Sequence, residues 1–240
     1  MKIKGVLFDK DGTLIDFDKT WNRVARDMAL HVADGDEGKA HGLLETVGFD
    51  QETERFLPGS IWAAGNNYDL ADAWFPHLNA QERRGKAAFF DEYVISLSPK
   101  VSVPLTDLDA VLAKLRALDL VLGIATNDVT ASAEGFARAA GLAHYFAFVV
   151  GYDGVERPKP HGEMVTAFSA HMSIESASIA VVGDNTHDLE MAADGGAGLK
   201  VGVLTGTGTR AELAPLADVI LESIDDLPAY LAEANGTQAA

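Results

Sequence analysis

The stretch that most constrains the fold is residues 6–14, VLFDKDGTL, in which an apolar run breaks abruptly into a polar turn. The apolar residues predict a buried strand, and Gly12 permits the tight backbone turn that follows it. Two carboxylates, Asp9 and Asp11, stand two residues apart at the carboxyl end of that strand. Open α/β sheets bind ligands at this place, although Asp and Gly also favour ordinary turns.

The next strand-like run is LVLGIA at 120–125, roughly 100 residues further on, whereas a parallel crossover needs only about a dozen residues. The intervening sequence must therefore form a structure of its own, and its apolar residues recur at helical spacing. We predict helices at 19–32, 40–47 and 79–97, and no strand between residues 17 and 97.

These boundaries predict two domains in one chain. The expected division is an α/β core at 1–16 and 99–234, an inserted all-helical domain at 17–98, and a flexible tail at 235–240.

Beyond residue 107 strand-like runs alternate with helical stretches of about 10–15 residues. The predicted strands lie at 120–125, 146–150, 178–182, 199–204 and 218–221. The predicted helices lie at 107–118, 129–140, 162–172, 186–193 and 225–232. This alternation indicates βαβ units, and therefore an α/β fold with a parallel sheet and helices on both faces.

The net charge of the chain limits the kinds of molecule that the protein is expected to bind. The chain has 19 Lys and Arg residues against 36 Asp and Glu residues, a formal net charge of −17. Such a field repels nucleic acid, so a nucleic-acid partner is not expected. An anionic small-molecule substrate would need a local positive charge, such as a bound cation.

The sequence also indicates in which cellular compartment the protein is expected. No run of 18 or more apolar residues predicts a membrane span, and the chain has no cysteine for disulfides or thiolate metal sites. Residues 1–5 run directly into the first strand, so we expect no signal peptide and a cytoplasmic protein. A monomer and a homodimer are equally compatible with the sequence.

Polar side chains follow the later strands as well. Thr126 and Asn127 end the strand at 120–125 and have groups that can donate to a phosphate oxygen, although helix capping alone also explains them. Lys159 stands between two prolines, so a stiff loop would hold its charge in place. An ordinary exposed loop lysine is the alternative.

The segment GDNTHD at 183–188 adds two more carboxylates. Asp184 ends a strand and Asp188 follows one helical turn later, so both can face the same point. Oxygen ligands without Cys or clustered His favour Mg²⁺ over zinc. We expect His187 on the helix surface, and the glycine-rich residues 206–209 in a plain loop.

Together these segments resemble the four signatures of the haloacid dehalogenase (HAD)-like phosphohydrolases. FDKDGTL at 8–14 fits the first, IATN at 124–127 the second, Lys159 the third and GDNTHD at 183–188 the fourth. The inserted segment resembles the cap of the phosphoglycolate phosphatase-like and β-phosphoglucomutase-like branch. The resemblance implies a Rossmann-like (HAD-like) parallel sheet core with an inserted helical cap.

The resemblance also implies catalytic roles. Asp9 would be the nucleophile that forms an aspartyl-phosphate, and Asp11 would be the general acid and base. Thr126, Asn127 and Lys159 would bind the phosphoryl group of the substrate.

The same resemblance implies a Mg²⁺ site. The ion would be held by Asp9, the backbone carbonyl of Asp11 and Asp184, with Asp188 and Asn185 in support.

The expected function is Mg²⁺-dependent hydrolysis of a small phosphomonoester, of the phosphoglycolate or sugar-phosphate type. A phosphosugar mutase of the β-phosphoglucomutase type is the alternative, and a non-catalytic phosphate-binding module is a remote one. Substrate choice should lie in the insertion, where the candidates are Arg23, Arg55, Trp62, Asn66 and Asn67. Trp21, Trp62 and Trp74 should form the core of the insertion, unless one of them faces the cleft.

Overall fold

The computed structural model describes residues 2–236, apart from the side chains of residues 98 and 99. In chain order the strands are β1 (Gly5–Phe8), β2 (Phe49–Asp50), β3 (Arg55–Phe56), β4 (Val121–Ala125), β5 (Phe146–Val150), β6 (Ile179–Gly183), β7 (Leu199–Val203) and β8 (Val219–Leu221). Six of them form a parallel sheet in the order β5-β4-β1-β6-β7-β8. This confirms the predicted α/β fold.

The helices of the insertion are α1 (Phe17–Val32), α2 (Glu37–Thr46), α3 (Ile61–Ala64), α4 (Asn67–Trp74) and α5 (Ala80–Val101). The helices around the sheet are α6 (Leu108–Ala117), α7 (Thr130–Ala139), α8 (Glu163–Met172), α9 (Thr186–Asp194), α10 (Arg210–Leu213) and α11 (Leu227–Ala234).

The strand β1 separates two hydrophobic layers. Its side chains alternate between the faces of the sheet, as the pleat requires. Val6 and Phe8 pack in the layer that contains α6, α7 and α11. Leu7 packs on the opposite face with α8 and α9. Because helices cover both faces, the central strands β1, β4 and β6 are apolar throughout, as is typical of a parallel sheet.

Phe168 of α8 explains two glycines in neighbouring strands. Its ring is fully buried, and a Cβ built at Gly5 of β1 or at Gly123 of β4 would meet that ring at 3.1 Å or 3.0 Å. The absence of side chains at these two positions lets the helix approach the centre of the sheet closely.

The insertion has a hydrophobic core of its own, and we call this segment the cap. Met28, Leu44, Trp74 and Phe90 are among its buried residues. The Trp74 indole Nε1 also donates to the Leu43 carbonyl at 2.9 Å. The domain boundaries of the core and the cap stay a prediction.

Two expectations about the cap were wrong in detail. Strands β2 and β3 form a short antiparallel hairpin, whereas no strand was expected between residues 17 and 97. Each strand has two residues, too few for an alternating pattern to be seen in the sequence. The helix predicted at 79–97 is α5, which ends later, at Val101, because Leu97 and Val101 still pack against the cap core.

The end of the described chain is anchored to its beginning. Asn235 accepts a hydrogen bond from the Ile3 amide at 2.8 Å and donates to the Ile3 carbonyl at 3.0 Å. The predicted flexible tail is therefore wrong at Asn235, and residues 237–240 lie outside the described residues. Within the described chain, no helix is both long enough and apolar enough to cross a membrane.

We predict that Phe168→Ala lowers the free energy of unfolding by about 3–5 kcal/mol, because it leaves a cavity over the two strand glycines. Denaturant-induced unfolding measures this loss. Leu57→Ala is the control, since the Leu57 side chain is exposed and its truncation should change stability little. Equal losses for the two variants would contradict the role given to Phe168.

Candidate active site

Three adjacent strands deliver the predicted polar residues to one edge of the sheet. Asp9 follows β1 directly, Thr126 follows β4, and Asp184 follows β6. Since β1 lies between β4 and β6, these three residues meet at the centre of the carboxyl edge. All three are buried. The placement expected from the sequence for this edge is therefore observed.

Lys159 joins the first and fourth sequence segments. Its Nζ donates to Asp9 Oδ1 at 2.5 Å and to Asp188 Oδ1 at 2.6 Å, and all three side chains are buried. Burial alone would lower the pKa of Lys159, but the Asp188 and Asp9 carboxylates raise it above its usual value. The alternative of an exposed loop lysine is wrong, and the side chain is a fixed buried cation.

Three buried carboxylates form a candidate metal centre. Asp9, Asp184 and Asp188 each offer an oxygen, and these oxygens lie within 4.8 Å of one another. Carboxylate oxygens are the ligands that Mg²⁺ prefers, so the donor set fits this ion. Lys159 supplies a single positive charge against the three carboxylates, so the cluster favours a divalent cation.

The protonation of these carboxylates reflects their crowding. Burial raises the pKa of Asp9 to about 7; Asp188 and Asp11 add to this effect, and Lys159 opposes it. Burial, with repulsion from Asp188 and Asp9, also raises the pKa of Asp184. For Asp188, attraction to His187 and Lys159 outweighs burial and lowers the pKa. A bound divalent cation would relieve the repulsion at Asp9 and Asp184.

The glycine-rich residues 206–209 hold Asp184 in place. The Thr207 amide donates to Asp184 Oδ2 at 2.8 Å. A Cβ at Gly206 would collide with the Asp184 carboxylate, and one at Gly208 would collide with its backbone carbonyl. The sequence predicted a plain loop here, but the structure places this backbone against a candidate metal ligand.

Asp11 lies in a second charged network. Lys10 Nζ contacts both oxygens of the Asp11 carboxylate at 2.8 Å and lies 3.0 Å from Asp128 Oδ2. The Trp21 indole of the cap donates to Asp11 Oδ1 at 2.5 Å. Lys10 is fully buried and also lies 4.9 Å from the centre of the Trp21 ring. Burial opposes the charge on Lys10, but Asp11 and Asp128 raise its pKa.

Thr126 and Asn127 differ in what they offer a ligand. The Thr126 hydroxyl oxygen accepts from the Asp128 amide at 3.0 Å, which leaves its own proton free to be donated. The Asn127 side-chain amide instead donates to the Ala64 carbonyl at 2.8 Å and to the Lys159 carbonyl at 3.3 Å. In this arrangement Asn127 joins the core to the cap, and the phosphate contact expected from it stays a prediction.

A cavity separates these residues from the cap. The cavity is lined by Trp62, Asn66 and Asn67, which were predicted from the sequence as candidates for substrate choice, and also by Trp21. The candidates Arg23 and Arg55 do not reach it, because both are exposed and pair with Asp27 and Asp18. The tryptophans of the cap were expected to form its core unless one of them faced the cleft. Trp21 and Trp74 are buried in the cap core, and Trp21 and Trp62 line the cavity.

His187 was expected on the helix surface, and this is wrong. Its side chain is only 13% exposed and lines the cavity, with Nε2 3.6 Å from Asp188 Oδ1. Burial lowers the pKa of His187. Its Nδ1 is buried and has no hydrogen-bond partner within the described chain.

Two functional features were missed in the sequence. Lys10 lies between Asp9 and Asp11 in the sequence, and no role was predicted for it. The loop that contains Gly206 and Thr207 was predicted only as a plain loop, with no part in the site. Nothing in the sequence alone connects that loop to Asp184, which lies more than 20 residues away in the chain.

We predict that Lys10→Met lowers the free energy of unfolding by about 3–5 kcal/mol, because Asp11 and Asp128 lose the cation they share. Denaturant-induced unfolding measures the change. Lys39→Met is the matched control, since Lys39 is 74% exposed and its pair with Asp36 is a surface ion pair. A Lys10→Met protein as stable as the Lys39→Met protein would contradict this account.

A second prediction concerns the loop against Asp184. Gly206→Ala should displace the carboxylate and weaken Mg²⁺ binding by about 10- to 100-fold, as measured by isothermal titration calorimetry. Gly85→Ala is the control, because a Cβ there meets no atom within 4 Å. Unchanged Mg²⁺ affinity in Gly206→Ala would show that the loop does not hold the ligand.

Known proteins resemble this chain over most of its length. "Probable phosphatase IndB" of Dickeya dadantii (strain 3937) is 32% identical over 227 residues, which cover 92% of this chain and 90% of the relative. The phosphoglycolate phosphatase of Shigella boydii serotype 4 (strain Sb227) is 29% identical over 235 residues, which cover 94% of this chain and 91% of that protein.

Solved structures and a family model agree with these relatives. The crystal structure of a predicted phosphoglycolate phosphatase from Haemophilus somnus 129pt has a TM-score of 0.71 and 19% identity, and the match covers 96% of this chain and 98% of that one. At this identity the likeness shows a shared fold. The family model of the haloacid dehalogenase-like hydrolases matches residues 3–196. The chain belongs to the haloacid dehalogenase-like hydrolases.

Proposed function

We propose that this protein is a Mg²⁺-dependent phosphatase that hydrolyses a small phosphomonoester through an aspartyl-phosphate on Asp9. The observation that carries the proposal is the buried contact of Asp9 with Lys159, beside the carboxylates of Asp184 and Asp188. This arrangement supports the proposal, because it puts the proposed nucleophile, a fixed cation and a candidate metal site at one point of the sheet edge.

The metal ligands in this proposal are Asp9, the backbone carbonyl of Asp11 and Asp184. Asp188 supports them by holding Lys159 and by accepting from the Asn185 amide at 3.1 Å. When bound, Mg²⁺ supplies positive charge that offsets the repulsion between the Asp9 carboxylate and the phosphoryl group. That repulsion is about 4 kcal/mol for two unit charges 4 Å apart at an effective dielectric constant of 20.

In the first chemical step an Asp9 oxygen attacks phosphorus, and the bond from phosphorus to the leaving oxygen breaks. Asp11 gives its proton to that oxygen, and the alcohol departs. Lys159 and the Thr126 hydroxyl stabilise the charge that spreads over the phosphoryl oxygens.

In the second step Asp11 takes a proton from a water molecule, whose oxygen attacks phosphorus. The bond between phosphorus and Asp9 breaks, and inorganic phosphate leaves. Three contacts between core and cap support exclusion of bulk water in the interval: Trp21 to Asp11, Asn127 to Ala64, and Tyr152 to Asp91. Because Trp21 and Lys10 hold the Asp11 carboxylate, both help to orient the proposed acid and base.

The relatives make phosphoglycolate the first substrate to consider, and the resemblance of the cap to the β-phosphoglucomutase-like branch adds sugar phosphates. One relative is named a phosphoglycolate phosphatase and another a probable phosphatase. A cytoplasmic location accords with such metabolites and belongs to the same proposal.

We predict that Asp9→Asn lowers phosphate release by on the order of 10⁴-fold or more, because the amide is a poor nucleophile. Phosphate release from a panel of small phosphomonoesters measures the effect. Asp27→Asn is the control, since Asp27 is an exposed cap residue paired with Arg23. Substantial release by Asp9→Asn would contradict the mechanism.

Metal removal gives a separate test. Chelation with EDTA should abolish phosphate release, and added Mg²⁺ should restore it, because the single positive charge of Lys159 does not balance the three buried carboxylates. Conversion of a hexose 1-phosphate to the 6-phosphate without phosphate release would instead identify a phosphosugar mutase. Mg²⁺ binding without turnover of any ester would indicate a binding module.

A further inference from the structure

The cavity between core and cap has two chemically different walls. The core supplies a polar floor that includes Asp9, Asp11, Thr126 and His187. The cap supplies a roof that is mostly apolar, with Phe17, Trp21, Met28, Ile61, Trp62 and Leu70. A phosphoryl group seated at Asp9 therefore places its leaving group beneath the roof.

The roof contains no Lys or Arg among the residues that the structure describes around this cavity. The nearby cap cations point elsewhere and are paired: Arg26 contacts Glu54 at 3.1 Å, and Arg55 contacts Asp18 at 2.6 Å. The buried cations Lys10 and Lys159 are already engaged with carboxylates of the floor. A carboxylate on the leaving group would lose its hydration beneath this roof and gain no cationic partner, which is unfavourable.

The aromatic part of the roof is rigid. The Trp62 ring stacks on Phe56, with centroids 5.4 Å apart and planes 14° apart, and it also contacts Trp74 at 6.1 Å. Trp62 is half-buried, so part of the indole remains open to the cavity. An aromatic surface of this kind packs well against the C–H face of a ring.

Two asparagines supply the polar groups of the roof. Asn66 Oδ1 accepts from the Tyr68 amide at 2.8 Å, so its side-chain nitrogen remains available as a donor. Asn67 donates from Nδ2 to Asp91 at 2.7 Å, so its Oδ1 remains available as an acceptor. Neither free atom has a protein partner within the described chain. A donor beside an acceptor matches hydroxyl groups, which do both.

The orientation of Asn67 depends on the core. Tyr152 donates to both oxygens of Asp91, at 2.7 Å and 2.9 Å, and Asp91 in turn accepts from Asn67. This chain of hydrogen bonds crosses from the core to helix α5 of the cap and then to α4. It holds the Asn67 amide with its nitrogen toward Asp91 and its oxygen free.

We propose that the cap selects phosphomonoesters whose leaving alcohol is an uncharged, hydroxylated ring, as in a sugar phosphate, and disfavours alcohols that carry a carboxylate, such as that of phosphoglycolate. The ring would pack on Trp62, and its hydroxyls would meet Asn66 and Asn67. This proposal rests on the phosphatase function proposed above, and it assigns the roof as the subsite that sets specificity.

The first experiment compares neutral and anionic esters in two ways. The ester pairs are ribose 5-phosphate against phosphoglycolate, and glycerol 3-phosphate against 3-phosphoglycerate. The second pair is the matched one, because its two members differ only in that a carboxylate replaces a hydroxymethyl group. The kcat/KM of each ester is measured with the native protein and Mg²⁺. The Kd of each ester is measured by calorimetry with Mg²⁺ and the Asp9→Asn protein, which does not turn the ester over. We expect the neutral ester of each pair to be favoured by roughly 100-fold in kcat/KM and at least about tenfold in Kd.

The second experiment changes the charge of the roof. Ile61→Lys puts a cation beside the cavity and should raise the ratio of kcat/KM for 3-phosphoglycerate over glycerol 3-phosphate by about tenfold or more. Ile61→Met is the matched control, because it keeps an uncharged side chain of similar volume and should leave the ratio unchanged.

The outcomes separate this inference from the proposed function. Equal or tighter binding of the anionic esters would overturn the inference, even if phosphate release is rapid. Absence of phosphate release from every ester would overturn the phosphatase proposal, and the calorimetric preference of the Asp9→Asn protein would still decide what the roof accepts. A Tyr152→Phe protein should lose more kcat/KM for ribose 5-phosphate than for glycerol 3-phosphate, and an equal loss for the two esters would contradict the positioning of Asn67.

Discussion

The buried contact between Lys159 and the Asp9 carboxylate is the interaction on which the rest of the site depends. Buried ions are costly unless they are paired, and here one lysine serves two carboxylates. Asp184 lies beside them without a cation of its own, and its pKa is raised mainly by burial. A bound divalent cation would balance this charge, and the proposed metal site would thus account for the acidic charge buried at one strand edge.

A parallel sheet brings these groups together at little structural cost. β1 is central, and Asp9 is flanked by the first residues after β4 and β6. Backbone that lies outside the sheet then fixes the carboxylates, through the Thr207 amide on Asp184 and the Asn185 amide on Asp188. The cap contributes a mostly apolar roof to the cavity, and its Trp21 indole donates a hydrogen bond to Asp11. The proposed chemistry thus lies in the core, and the proposed selection of the leaving group lies in the cap.

The sequence predicted the strand-end residues because each is adjacent in the chain to an apolar run, and parallel strands share an edge. It could not predict that Lys10 would lie between Asp11 and Asp128, since that contact joins residues more than 100 positions apart. His187 was misplaced for the same reason, because the cap that buries it is remote in sequence. The hairpin at residues 49–56 was missed because its strands are too short to show a period.

The most direct test of the central claim is to trap the covalent intermediate. Native protein mixed with Mg²⁺ and a turned-over phosphomonoester, then quenched in acid within one turnover, is digested and analysed by mass spectrometry. The account predicts a phosphoryl group on Asp9, in the peptide that contains residues 6–14, and none on that peptide from the Asp9→Asn protein. Rapid phosphate release with no adduct, or an adduct on another residue, would contradict it.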